Sequence, residues 1–325
     1  MDGIDGLLQA LSCRGAFEDL NGQLLQDLEP LCPGAILSRV ASVAAGAGKR
    51  RLFIIGNYVK QRLLRPYHDG SMSILRRLVN DGTYDQTKPL RWVTGFKNVY
   101  SFDLKSATDR WPRMVIYSIL SELFGHQVAS AVVDTGLGMC ELSLVPPLVR
   151  RDNIIIYSVG QPLGYHASWP LFTLSHHMIM WLAAERVYPK KVFRAYAILG
   201  DDVVIAYSKV ADEYQRILSA LEVEVSASKS LISKSGAFEF AKRFFVKRGK
   251  VDLSPVSLQS LLLCRTTLGL ATVRNTYNIK NLNVLLRLGG AGYRVLAKPH
   301  HLLSGRWKRL AVYLGKPDTS SPLIF

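Results

Sequence analysis

Ala195-Tyr196-Ala197-Ile198-Leu199-Gly200-Asp201-Asp202-Val203-Val204-Ile205-Ala206-Tyr207 is the stretch that decides the fold. Two apolar runs rich in Ile, Val, Leu and Tyr flank Gly200, Asp201 and Asp202. Gly and Asp tolerate the positive φ of a tight turn, so the stretch reads as a β-hairpin. Taken alone, it is a hairpin with a soluble tip. Two adjacent carboxylates between buried strands repel each other, however, and a cation relieves that repulsion. A hard, oxygen-seeking ion such as Mg²⁺ suits a pair of carboxylates at a sheet edge. This reading asks for a further carboxylate from another strand and for cations that meet phosphate.

The composition agrees. The 325 residues are 48% hydrophobic, enough for a sizeable core in one to three domains. The 41 Lys and Arg against 25 Asp and Glu give a formal charge of +16, which points to a polyanionic partner. No apolar run reaches the roughly 18 residues that cross a bilayer, so no membrane span is expected. Cys13, Cys32, Cys140 and Cys264 are scattered, which speaks against a zinc site or a disulfide framework and fits a reducing compartment. Met1 to Leu20, with four acidic residues and only Arg14 basic, resembles neither a secretory signal nor an Arg-rich transit peptide.

Outward from the hairpin, the order of elements can be read. Residues 46–55 run from a small-residue loop through Lys49, Arg50 and Arg51 into a strand-like apolar run. Helical spacing follows in 58–65 and 73–79, then a turn over Asp81–Gln86. Val99–Leu104 reads as a strand that carries Asp103 at its end. Pro112 opens a helix that Gly125 stops. Residues 150–159 read as a strand, and Ser168 as the N-cap of a long apolar helix reaching about Val187. Past the hairpin, 212–221 is helical. The stretches 222–226 and 239–246 alternate like strands, and the part from about Ser254 is basic and mostly helical in pattern. The whole reads as an α+β sheet with helices on one face.

Asp103 is then the further carboxylate. With Asp201 and Asp202 it would hold two Mg²⁺ ions about 3.5–4 Å apart, the arrangement that displaces pyrophosphate in line. Lys49, Arg50 and Arg51 would meet a triphosphate as charge-assisted donors.

These residues also carry a family resemblance. Asp103-Leu104-Lys105-Ser106-Ala107-Thr108-Asp109-Arg110, Gly160-Gln161-Pro162-Leu163-Gly164 with Ser168-Trp169, and Gly200-Asp201-Asp202 resemble motifs A, B and C of viral RNA-dependent RNA polymerases, and more narrowly those of mitoviruses. Gly48-Lys49-Arg50-Arg51 resembles motif F, Lys229-Ser230 motif D, and Glu239-Phe240-Ala241-Lys242-Arg243 motif E. His176 and His177 resemble the paired histidines of the family's motif B helix. Two positions depart from the usual pattern: Phe172 stands where many viral polymerases have an Asn, and Lys105 adds a cation beside Asp103.

The resemblance implies a right-hand polymerase core: partial fingers in 1–98, a palm with an antiparallel sheet in 99–250, and a reduced basic thumb in 251–325. It implies Asp103 and Asp201 as principal ligands of two Mg²⁺ or Mn²⁺ ions, with Asp202 supporting. Lys229 would protonate pyrophosphate and Asp109 would read the ribose 2′-hydroxyl; Lys49, Arg50, Arg51 and Ser168 would contact the nucleotide. Read alone, Lys229 is a solvated lysine and Asp109 a helix-start carboxylate. The implied partners are an RNA template, nascent RNA and ribonucleoside triphosphates, and the implied location is the mitochondrion. Members of the family are usually longer, which also fits a short copy integrated in a plant mitochondrial genome. Two rival readings are an inactive RNA-binding remnant and a reverse transcriptase. The latter usually has an aromatic residue two before the Asp pair, where Leu199 stands here.

Overall fold

The described chain opens on an antiparallel pair, β1 (Ser38–Ala44) and β2 (Arg50–Gly56), in register from Ser38 opposite Gly56 to Ala44 opposite Arg50. The computed structural model describes residues 38–44, 48, 50–138, 141–277, 279 and 281–314. Asn57 caps α1 (Tyr58–Arg77), its side-chain oxygen accepting from the Val59 N–H at 2.6 Å. The two helical stretches expected at 58–65 and 73–79 are one helix, with Pro66 inside it. Pro66 removes one helical hydrogen bond, but Leu64, Tyr67, Ile74 and Leu75 bury on both sides of it, and this packing carries the helix through.

The turn expected at 81–86 begins on a buried residue. Asp81 bridges Ile198, and its carboxylate Oδ2 lies 3.1 Å from Nε2 of the equally buried His177. A 3₁₀ turn at Lys88–Trp92 leads to β3 (Val99–Asp103) and then to the single-turn helix α2 (Ala107–Arg110). Helix α3 (Arg113–Phe124) starts after Pro112 and stops at Gly125, as expected, and α4 (His126–Ser130) follows. Strands β4 (Glu141–Leu144) and β5 (Asn153–Ile156) complete a sheet in the order β2-β1-β4-β5.

Helix α5 (Ser168–Val187), strands β6 (Tyr196–Leu199) and β7 (Asp202–Ile205), helix α6 (Ser208–Ala220) and strand β8 (Leu231–Ser233) build the central part. The central sheet runs β6-β7-β3-β8, every pair antiparallel. Its period-2 alternation sorts the two faces. Phe102, Tyr196, Ile198, Val203 and Ile205 join the core formed with α3, α5 and α6. Val99, Ala197 and Val204 face Leu90, Val93, Phe238 and Phe240. Helices therefore cover one face, and the other is covered by the Lys88–Trp92 turn and a small sheet of β9 (Phe238–Phe240), β10 (Arg243–Val246) and β11 (Val251–Asp252).

Two expected strands differ. Residues 222–226 leave α6 through Glu222 at φ 57 and make a single antiparallel bridge from Val225 to Leu104, flanked by hydrogen bonds from the Lys105 N–H to the Glu224 carbonyl and from the Ser226 N–H to the Asp103 carbonyl, just beyond the end of β3. Residues 239–246 are not one strand: Ala241 and Lys242, at φ 55 and 61, fold the stretch into the β9–β10 hairpin.

The chain divides into two compact units, 1–253 and 254–325. The second holds α7 (Leu258–Leu263), α8 (Thr267–Tyr277), α9 (Leu282–Leu288), α10 (Tyr293–Leu296) and α11 (Gly305–Leu314). Its own core includes Leu270, Val273, Leu285, Trp307 and Leu310. No helix among the described residues is long and apolar enough to cross a membrane.

Candidate active site

Gly200 and Asp201 are the only residues between β6 and β7. Gly200 is at φ +59, and a Cβ there would stand 1.9 Å from the Trp169 ring, so both backbone and neighbour require glycine. Asp202, first in β7, pairs across the sheet with Asp103, last in β3. Cross-strand partners share a face, so the pairing puts these two carboxylates side by side with Asp201 next to them in the turn.

The charges crowd. Burial, then the neighbouring charges of Asp201, Asp103 and Glu239, push the Asp202 carboxyl up to about 7. Burial raises Asp201 as well; Asp103 adds to the rise, while a backbone hydrogen bond and the cations Lys229 and Arg51 oppose it. Lys229 donates from Nζ to Asp103 Oδ2 at 2.8 Å, and this bond raises the amine above its ordinary value. Glu239 on β9 is a fourth carboxylate facing Asp103, itself raised chiefly by burial. The sequence places it in motif E without marking it as part of the site.

Such a set of carboxylates has the hard oxygen donors that suit Mg²⁺ or Mn²⁺, and its acids are raised first by burial and then by one another's charge. As they stand, no three acidic or histidine side chains among the described residues converge on one ion position. One Asp103 oxygen is engaged by the Lys229 amine instead.

Of the motif F cations, Lys49 lies outside the described residues. Arg50 and Arg51 begin β2, both exposed, and Arg51 is close enough to lower Asp201 electrostatically. Strand β2 is docked on the loop before α5: the Ile54 N–H donates to the Leu163 carbonyl at 2.7 Å, and Gly164, at φ +112, leaves no room for a Cβ against Ile54.

Asp109 lies in α2, exposed, and its Oδ1 accepts from the Tyr157 hydroxyl at 3.1 Å. The Gln161 N–H donates to the Thr108 carbonyl, and a Cβ at Gly160 would collide with the Asp109 carbonyl at 2.1 Å. The loop thus rests directly on α2. Phe172, at the position where many viral polymerases have Asn, is buried edge-on against Trp111 at 4.9 Å and cannot orient Asp109. Tyr157 does so instead, which nothing in the sequence signals. Lys105 is turned to Glu224 at 2.8 Å and leaves Asp103 to Lys229.

Ser168 is not the N-cap of α5. That position belongs to Ala167, at φ 65, and Ser168 is the first helical residue. Its Oγ is buried without a hydrogen-bond partner, as is Oε1 of Gln161, whose amide donates to the Ser168 carbonyl at 3.1 Å.

The family described as mitovirus RNA-dependent RNA polymerase matches residues 11–284. An uncharacterized mitochondrial protein of Arabidopsis thaliana is 46% identical over 231 residues, 70% of this chain and 91% of that one. The RNA-directed RNA polymerase of Cryphonectria parasitica mitovirus 1 is 33% identical over 213 residues, 64% of this chain but 25% of that polymerase. Among solved structures, the RNA-dependent RNA polymerase of a human picorbirnavirus, in an insertion-loop deletion mutant, superposes with a TM-score of 0.52 at 15% identity. That match covers 66% of this chain and 45% of that one, and it speaks for the fold alone. With a polymerase-like core and a family match over most of its length, the chain belongs to the mitovirus RNA-dependent RNA polymerases.

Proposed function

We propose that this chain is an RNA-dependent RNA polymerase that copies a mitovirus-like RNA from ribonucleoside triphosphates and releases pyrophosphate. The observation that carries the reading is the pairing of Asp103 with Asp202 beside the Gly200–Asp201 turn. Asp103 and Asp201 would hold two Mg²⁺ or Mn²⁺ ions, with Asp202 supporting. When bound, such ions lower the pKa of the attacking hydroxyl and neutralise the triphosphate. In the transfer, the primer 3′-oxygen bonds to the α-phosphorus and gives its proton to solvent water, while the bond from the α-phosphorus to the oxygen bridging the β-phosphate breaks and that oxygen leaves with pyrophosphate.

The chain's own residues do the rest. Lys229, kept protonated beside Asp103, would give a proton to the leaving pyrophosphate. For that, the amine must leave Asp103, and the carboxylates must rotate to converge on the ions. Lys49, Arg50 and Arg51 would hold the triphosphate, and Asp109 and Ser168 the ribose. The formal charge of +16 supports RNA as the partner. The division into partial fingers (1–98), palm (99–250) and reduced thumb (251–325), and a mitochondrial location, belong to the same proposal; the relative named as a mitochondrial protein supports the latter.

Primer extension on an RNA template with Mg²⁺ or Mn²⁺ tests the reading. Extension by ribonucleotides is expected. RNA binding without extension would indicate an inactive remnant, and extension by deoxyribonucleotides a reverse transcriptase.

A further inference from the structure

The peptide that carries Asp201 is itself held in place from behind. The Gly200 carbonyl oxygen lies 2.7 Å from Nδ1 of His176, and Nε2 of the same ring lies 2.6 Å from the Tyr214 hydroxyl. A carbonyl can only accept, so Nδ1 bears the proton and donates; Nε2 of the neutral ring then accepts from Tyr214. Both side chains are fully buried, and burial keeps the imidazole neutral by lowering its pKa to about 3. Tyr214 also stacks on Phe102, the residue before Asp103, with ring centroids 6.0 Å apart. Trp169, two helical turns before His176 on α5, closes over Gly200. One side of α5 and one residue of α6 thus grip both strand ends that bear the carboxylates.

We propose that His176 and Tyr214 are positioning residues for the metal-binding edge. The chain from Tyr214 hydroxyl to imidazole to Gly200 carbonyl fixes the peptide plane between Gly200 and Asp201, and with it the placement of Asp201 relative to Asp103. Neither residue touches substrate. The inference rests on the reading of these carboxylates as metal ligands.

A merely structural role would also make the pair costly to lose, so the test compares substitutions that differ in one hydrogen bond. His176→Phe keeps a buried ring without donor or acceptor. His176→Asn places an amide nitrogen near the Nδ1 position, restoring the donor to Gly200 while losing Tyr214. Tyr214→Phe removes only the hydroxyl. Mn²⁺ binding to the full chain is followed by electron paramagnetic resonance, with circular dichroism and a thermal melt for each variant and Asp201→Ala as the control. His176→Phe is expected to weaken Mn²⁺ binding about tenfold or more, as loss of an outer-shell partner does elsewhere. His176→Asn should recover most of that loss although it melts no higher than His176→Phe, and Tyr214→Phe should fall between. A folded His176→Phe with the parent's Mn²⁺ affinity overturns the proposal, as does equal weakening by Phe and Asn. If His176→Phe does not fold, parent-like binding by Tyr214→Phe overturns it. A parent that binds no Mn²⁺, or an Asp201→Ala variant that binds like the parent, contradicts the metal reading itself and the inference with it.

Discussion

Asp109 and Tyr157 meet at 3.1 Å on the exposed side of α2, while Phe172, where many viral polymerases carry an Asn, is buried against Trp111. A carboxylate that accepts a hydrogen bond from the ribose 2′-hydroxyl loses that bond with the analogue that lacks it, and a hydrogen bond to a charged group is worth about 1.5–3 kcal/mol. Asp109→Ala is expected to narrow the preference for ribo- over deoxyribonucleotides by about 1–3 kcal/mol. Comparing kcat/KM for a ribonucleotide and its deoxy analogue in parent and variant checks this; unchanged selectivity would leave Asp109 as a helix-start residue. His176 makes a different prediction. Fully buried, with its pKa lowered to about 3 chiefly by that burial and further by the neighbouring His177, it cannot take up the proton that its unfolded counterpart binds below about 6.5. The unfolded state therefore gains protons first, and folding stability falls as the pH drops from about 6.5 toward 3, by up to about 1.4 kcal/mol per unit from this group. Denaturant unfolding between pH 7.5 and 5.0 should show a shallower pH slope in His176→Asn than in the parent. Equal slopes would refute the assignment.

At the scale of elements, the β6–β7 hairpin was legible because local chemistry decides it: two apolar runs, a glycine where only glycine fits, and carboxylates at the tip. Gly200→Ala meets both the left-handed backbone and Trp169, so it is expected to destabilise the protein by about 1–3 kcal/mol. Chemical denaturation checks this, and a variant as stable as the parent would mean that the turn is not gripped as described. Asp103 at a strand end and the Pro112–Gly125 helix were legible for the same local reasons. What stayed hidden depends on the fold around it. Packing carries α1 through Pro66, which local rules read as a break. The β9–β10 turn uses Ala241 and Lys242, residues without the usual turn signature. Ser168 carries the residue type of a cap but lies inside the helix, since Ala167 takes the left-handed position. Glu239, Tyr157 and the bonds of His176 join the site only through contacts between segments far apart in sequence, which no local pattern reveals.

For the whole molecule, the charge of +16 predicts that the proposed RNA binding is largely electrostatic. Each phosphate neutralised on a single strand contributes a slope of about −0.7 to the logarithm of affinity against the logarithm of salt. Titrations from low to physiological salt should show affinity falling steeply, and a flat response would remove nucleic acid as the reason for the charge. The polymerase reading itself rests on Asp201 serving the transition state more than template affinity. The most direct measurement is single-nucleotide primer extension by Asp201→Ala beside the parent, with RNA binding measured on the same preparations. The account predicts extension by the parent, loss of extension by the variant and unchanged RNA affinity. A parent that does not extend, or a variant that extends within about tenfold of the parent rate, roughly 1.4 kcal/mol of barrier, would contradict it.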